Sequence, residues 1–187
     1  MNAAALPAAP RRPDASFAFG HPLHAIALGL GSGLAPRAPG TAGTLFGWAT
    51  FVALQPVVGS APAWAALLAV GLVVGIWACA VTARDLGVAD PGAIVWDEIL
   101  AFWIVLWLVT PAGWLAQCAA FVLFRFFDAA KPGPVAWADA LFKPARRDEA
   151  GAAAPRIGWP QGLGIMLDDL VAALCTLLVF ALWRFFA

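Results

Sequence analysis

The chain has 187 residues, a formal net charge of zero, 63% hydrophobic and 12% charged residues, ten Trp and no Tyr. A soluble domain carries about 25% charged residues; at a mean hydropathy of +0.84 this chain lacks the polar side chains to cover a soluble monomer, and a bilayer is the solvent its composition fits. Zero net charge and the lack of a basic stripe that could follow a phosphate backbone set nucleic-acid binding aside.

Residues 1–20 are rich in Ala and Pro, with Arg11 and Arg12 in the middle. A secretory signal puts its charge first and a continuous apolar stretch after it. Here Pro7, Pro10 and Pro13 interrupt any helix, so the expectation is a flexible tail ahead of a single membrane domain over residues 21–187. Residues 21–30 are expected as a short interfacial helix, with His21 and His24 as interfacial side chains beside Pro22 and without a catalytic role.

The next segment, GSGLAPRAPGTAGT over residues 31–44, holds four glycines that let a ligand approach the backbone and two prolines that stiffen it. Thr41 and Thr44 bring hydroxyls to a helix N-terminus, where anions are favoured. The segment lacks the GxxxxGK[ST] spacing of a nucleotide-binding loop, and a plain turn with a Thr N-cap is the commoner use of such a composition. Arg37 at its centre favours phosphate, held by Ser32, Arg37, Gly40, Thr41, Gly43 and Thr44.

Five apolar spans follow, over residues 45–58, 62–83, 93–110, 114–127 and 164–186. The second would be roughly 33 Å long at the helical rise, enough for a bilayer core, while several of the others fall short of about 20 residues. Pro111-Ala112-Gly113 predicts a tight hairpin between the third and fourth. The predicted fold class is an all-α polytopic membrane bundle. Cys79, Cys118 and Cys175 lie in apolar runs without a CxxC spacing and are expected as small buried hydrophobes. The Trp residues at 48, 64, 96, 103, 107, 114, 137, 159 and 183 fit interfacial belts and bundle packing.

Placing the connections on alternate sides puts residues 1–44, 84–96 and 128–163 together, and with them ten of the eleven Lys and Arg residues, leaving Arg184 opposite. The positive-inside rule makes that side, and the N-terminus, cytoplasmic. All eleven Asp and Glu residues, which play no part in that assignment, fall on or near the same side. Asp97, Glu98, Asp128, Asp168 and Asp169 come from three different helices. Carboxylates at a membrane boundary are costly unless paired, hydrated or bound to a cation, and an all-oxygen donor set suits a hard divalent ion, Mg²⁺ above all.

Each of these groups also has a plainer reading. Arg125, Asp128 and Lys131 recur every three positions, so one helix face could bind metal through Asp128 and phosphate through the two cations, or could simply hold an ion pair and snorkelling side chains. Asp168 and Asp169, near the start of the last span, could merely complement a helix dipole. Asp97 and Glu98, flanked by Ile94, Val95, Trp96, Ile99 and Leu100, are harder to explain without a function.

Four segments, GSGLAPRAPGTAGT, TARDLGVADPGAIVWDEILAFW, FVLFRFFDAAKPGPVAWAD and GLGIMLDDLVAAL, closely resemble in that order the signature segments of the bacterial phosphatidylglycerophosphatase A family, over about residues 22–180. The resemblance implies a Mg²⁺-dependent lipid phosphatase of the bacterial inner membrane. Such an enzyme removes the terminal phosphate of phosphatidylglycerophosphate to give phosphatidylglycerol and inorganic phosphate.

On that expectation Asp97, Glu98, Asp128, Asp168 and Asp169 position the metal and carry the chemistry, while Arg37, Arg125 and Lys131 hold the phosphate, with either water or an Asp side chain as nucleophile. Apolar groove residues would hold the acyl chains. Residues 143–161 are longer than the family pattern, and Lys143, Arg146, Arg147 and Arg156 there are expected to meet anionic headgroups. The readings from other classes are a small cation transporter or channel, with the acids lining an ion path, and a structural subunit.

Overall fold

A computed structural model describes residues 12–142 and 158–186. The basic residues expected at headgroups, Lys143, Arg146, Arg147 and Arg156, lie outside the described residues. The described chain is all helical: α1 (Ala15–Gly20), α2 (Pro22–Ala27), a 3-10 segment (Gly29–Leu34), then α3 (Pro39–Val58), α4 (Ala61–Leu86), α5 (Trp96–Val109), α6 (Trp114–Ala130), α7 (Pro134–Phe142) and α8 (Trp159–Phe186).

Local chemistry punctuates these elements. Asp14 caps α1 by accepting from the Phe17 N–H at 2.8 Å, so part of the segment expected as a flexible tail is helix. Pro39 opens α3 directly after Ala38, which adopts a left-handed conformation at φ 47°. Ser60 caps α4, whose end turns at Gly87 with φ 67°. Lys131, also left-handed at φ 44°, ends α6, and Pro132-Gly133-Pro134 turns the chain into α7.

Helix α5 is apolar nearly all round and forms the centre, with Ile99, Leu100, Phe102, Val105 and Leu106 fully buried. Helices α3, α4, α6 and α8 surround it. The packing depends on close approach. Along α3, a Cβ at Gly43 would lie 2.5 Å from Val95 Cβ, and one at Gly47 would lie 3.1 Å from Ile99 Cα, so small residues bring α3 onto the start of α5. Indoles tie the helices further: Trp96 Nε1 donates to the Gly71 carbonyl at 3.0 Å, and Trp103 Nε1 to the Gly47 carbonyl at 2.7 Å.

Three helices, Pro39–Val58, Ala61–Leu86 and Trp159–Phe186, are long and apolar enough to cross a membrane. The expected third and fourth spans are shorter: α5 has 14 residues and α6 has 17, roughly 21 and 26 Å against a hydrocarbon core of about 30 Å. They form the predicted hairpin, packed within the bundle. Cys79 is buried as expected, but Cys118 is exposed on α6 and Cys175 only half-buried. An apolar helix face turned to lipid accepts a Cys as readily as a core does.

Candidate active site

The starts of α3 and α5, the end of α6 and the first half of α8 meet at one end of the bundle. Glu98 from α5, Asp128 from α6 and Asp169 from α8 each offer a carboxylate oxygen, and these oxygens lie within 4.8 Å of one another. Asp97 and Asp168 stand beside them and, like Asp169, are buried. Asp97 Oδ1, Glu98 Oε2 and Asp169 Oδ1 are buried without a hydrogen-bond partner among the described residues. Orphaned carboxylate oxygens are strongly disfavoured in an apolar interior. An all-oxygen set with three oxygens to spare fits a hard divalent cation held by Glu98, Asp128 and Asp169, with Asp97 and Asp168 in reach.

Two cations organise the acids. Arg125 Nη1 donates to Glu98 Oε1 at 3.1 Å, to Asp128 Oδ2, and to Thr44 Oγ1 at 3.4 Å. Thr44 in turn donates to the Gly40 carbonyl at 2.9 Å. A Cβ at Gly40 would collide with Glu98 Oε1 and approach Arg125 Nη1 to 3.2 Å. Lys131 Nζ donates to Asp139 Oδ1 and to Asp168 Oδ2. Partial burial acts to lower the Lys131 pKa, but hydrogen bonds and charge from Asp139 and Asp168 outweigh it and lift the ammonium above the ordinary lysine range. A raised lysine pKa keeps the group protonated through neutral pH, its contribution lost only as pH climbs past that raised value.

The sequence-predicted residues therefore separate. Asp97, Glu98, Asp128, Asp168, Asp169, Arg125, Lys131, Gly40 and Thr44 converge. Ser32 instead donates to the Gly29 carbonyl at 2.8 Å, and Gly43 serves the α3–α5 contact. Arg37 is exposed on the loop before α3, and Thr41 is half-buried in the first turn of α3. Helix α8 starts at Trp159, not at 164, so Asp168 and Asp169 fall in its third turn and its first turn holds no acid. A helix dipole acts within the first turn, so the dipole reading of this pair lapses.

Sequence reading misses two partnerships. Asp139, on the unforeseen α7, clamps Lys131 from across the Pro132-Gly133 turn; the separation of eight residues is the signal that could have found it. His24 is buried, with Nε2 on Asp85 Oδ2 at 3.0 Å and Nδ1 on the Phe17 carbonyl at 3.1 Å. It fastens α1 and α2 to the end of α4.

The sequence model of a family described as phosphatidylglycerophosphatase A matches residues 25–146. A phosphatidylglycerophosphatase A of Escherichia coli K12 is 37% identical over 157 residues, covering 81% of this chain and 77% of the relative. One from Haemophilus influenzae is 37% identical over 159 residues, covering 85% of this chain and 86% of the relative. A protein of Bacteroides thetaiotaomicron, provisionally named a phosphatidylinositol-3-phosphatase, is 34% identical over 166 residues, covering 85% of this chain and 91% of its own length. No solved structure matches the chain.

Proposed function

The chain belongs to the phosphatidylglycerophosphatase A family, and from that membership and its acidic site we propose that it hydrolyses the terminal phosphomonoester of phosphatidylglycerophosphate to phosphatidylglycerol and inorganic phosphate. The observation that carries the reading is the triad of Glu98, Asp128 and Asp169, with orphaned oxygens on Asp97, Glu98 and Asp169 beside Arg125 and Lys131, at the end of a membrane-length bundle. An ion path needs ionisable groups along the bilayer; among the described residues the opposite end carries Arg184 as its one charged side chain.

The reaction breaks the bond between phosphorus and the glycerol oxygen and adds a water oxygen to phosphorus. Bound Mg²⁺ would polarise the phosphoryl oxygens and acidify water. Glu98, Asp128 and Asp169 would hold the ion, and Asp97 and Asp168 would complete its surroundings. Among the described residues Arg125 makes its contacts through Nη1, which leaves its Nη2 and Nε donors for the phosphate. Lys131 orients Asp168 and adds positive charge where the transition state gains negative charge. Arg37, exposed on the loop before α3, with Thr41 in the first turn of α3, would meet the phosphate as it enters. The site would face the cytoplasm from the bacterial cytoplasmic membrane, with membrane lipids as surroundings.

The test is phosphate release from phosphatidylglycerophosphate in detergent micelles, with Mg²⁺ or excess EDTA, by wild type and by Asp97→Asn and Asp128→Asn. We expect metal-dependent release and a loss of about 10³-fold or more in both variants while they remain folded. No release by folded wild type with any divalent cation would refute the reading.

A further inference from the structure

A lipid whose phosphate reacts at Glu98, Asp128 and Asp169 must lead its acyl chains out of the site sideways, and most sides are closed. Helices α1 and α2 cover the end of α4 through the His24–Asp85 pair. Helix α7 lies against α8, with Val135 and Ala138 buried and Asp139 bound to Lys131. The side between α3 and α6 is bridged by few groups. Arg125 reaches Thr44 at the site end. One helical turn further on, Trp48 stacks on Phe121 at 5.8 Å between ring centroids and donates from Nε1 to Gln117 Oε1 at 2.7 Å.

Along this seam Leu45, Trp48, Ala49 and Val52 of α3 and Trp114 of α6 line an open depression of about 460 Å³. The four α3 residues fall at i, i+3, i+4 and i+7, one continuous apolar stripe. The indole N–H of Trp48 is satisfied by Gln117, and the Gln117 amide donates to the Ala112 carbonyl at 2.9 Å, so these two groups do not make the seam polar. Leu45 directly follows Thr44, the Arg125 partner, and the stripe runs from there along a membrane-length helix toward Trp114 at the opposite end.

We propose that this α3–α6 groove holds an acyl chain of the phospholipid substrate, entering at Leu45 and running toward Trp114, so that Leu45, Trp48, Ala49, Val52 and Trp114 set chain recognition. The proposal rests on the lipid-phosphatase reading and adds the place where the lipid's hydrocarbon lies.

Ala49 is exposed on the groove, so Ala49→Phe fills it without entering the core; Val70→Phe, on the exposed face of α4, is the control. The full chain is assayed with dioleoyl phosphatidylglycerophosphate and with its deacylated counterpart, which has the same phosphate and no chains. In Ala49→Phe we expect kcat/KM to fall about tenfold for the dioleoyl substrate and to stay within about twofold for the deacylated one, with Val70→Phe like wild type on both. Undiminished dioleoyl turnover, or equal loss on both substrates, would overturn the groove.

A dioleoyl substrate carrying a diazirine midway along one chain gives a second, activity-independent readout. Its adducts should map to residues 45–52 and Trp114 and be displaced by unlabelled substrate; labelling spread evenly over the lipid-facing helices, as by bulk lipid, would overturn the assignment. Failure of wild type to release phosphate from either substrate would instead count against the phosphatase reading, with the labelling map still reporting on the groove.

Discussion

A methyl group added at Gly40 would run into the Glu98 carboxylate, whereas one added at Gly33 would run into the carbonyl oxygen of Ala93. The difference lies in what can move. The Glu98 carboxylate is the far end of a flexible side chain, so in Gly40→Ala it swings aside at little cost, and alanine's better helix propensity offsets part of that. The displaced carboxylate leaves Arg125 Nη1 and its place beside Asp128 and Asp169. Misplacing such a group by about 1 Å can cost about 100-fold. Gly40→Ala should therefore keep its thermal midpoint and lose about 10- to 100-fold in kcat/KM. The Ala93 carbonyl belongs to the backbone leading into α5, so Gly33→Ala should lose about 1–3 kcal/mol of stability. Thermal melts in detergent beside phosphate-release assays separate the two; a Gly40→Ala enzyme with wild-type turnover would remove Glu98 from the site.

Among the elements, legibility follows the strength of local punctuation. Helix α4 is foreseen almost to its ends because Ser60, Pro62 and Gly87 frame one unbroken apolar run. Helix α3 begins six residues before the expected start at 45, because Gly40 and Gly43 read as loop glycines while the fold uses them as a contact face for α5. Helix α8 is shortened in the sequence reading by Gly162, which is where it meets the Ile76 carbonyl of α4. Helix α7 has nine residues after a Pro-Gly-Pro turn, too few for a helical period to register. The acids themselves are legible because charge is rare in this chain, but which of them share an ion depends on packing that no local signal encodes. That packing has a measurable consequence: α5, α6 and α8 each bring a carboxylate to one point, so a bound divalent cation would relieve repulsion between helices and stabilise the fold. At about 100 times its dissociation constant, Mg²⁺ should add about 2.7 kcal/mol, seen as a rise in thermal midpoint over EDTA that Asp169→Asn diminishes. A midpoint indifferent to every divalent cation would sink the metal site.

For the whole molecule, the charge distribution bears on which way the bundle stands in the membrane. Among the described residues the site end gathers the Arg, Lys and acidic side chains and the opposite end has Arg184, and from the positive-inside rule we propose that the site faces the cytoplasm. The short hairpin is where this assignment is most exposed to test. At roughly 21 Å, α5 falls below the usual hydrocarbon thickness, and either the bilayer thins around it or the turn stops within the membrane. The turn and the start of α6 carry Thr110 and the exposed Trp114, a polar and an aromatic side chain typical of an interface, which argues that the turn reaches water and that the surroundings thin to match it. With Cys79, Cys118 and Cys175 replaced by Ala, single cysteines at Arg37, Ala61 and Gly113 report the outcome; all three positions are exposed and Gly113 has open space for a side chain. In bacterial spheroplasts a membrane-impermeant maleimide should label Ala61→Cys and Gly113→Cys, and Arg37→Cys only after the membrane is disrupted. Labelling of Arg37→Cys alone would invert the bundle and place the site outside the cell, and protection of Gly113→Cys beside a labelled Ala61→Cys would make α5 and α6 a re-entrant pair beneath three true spans.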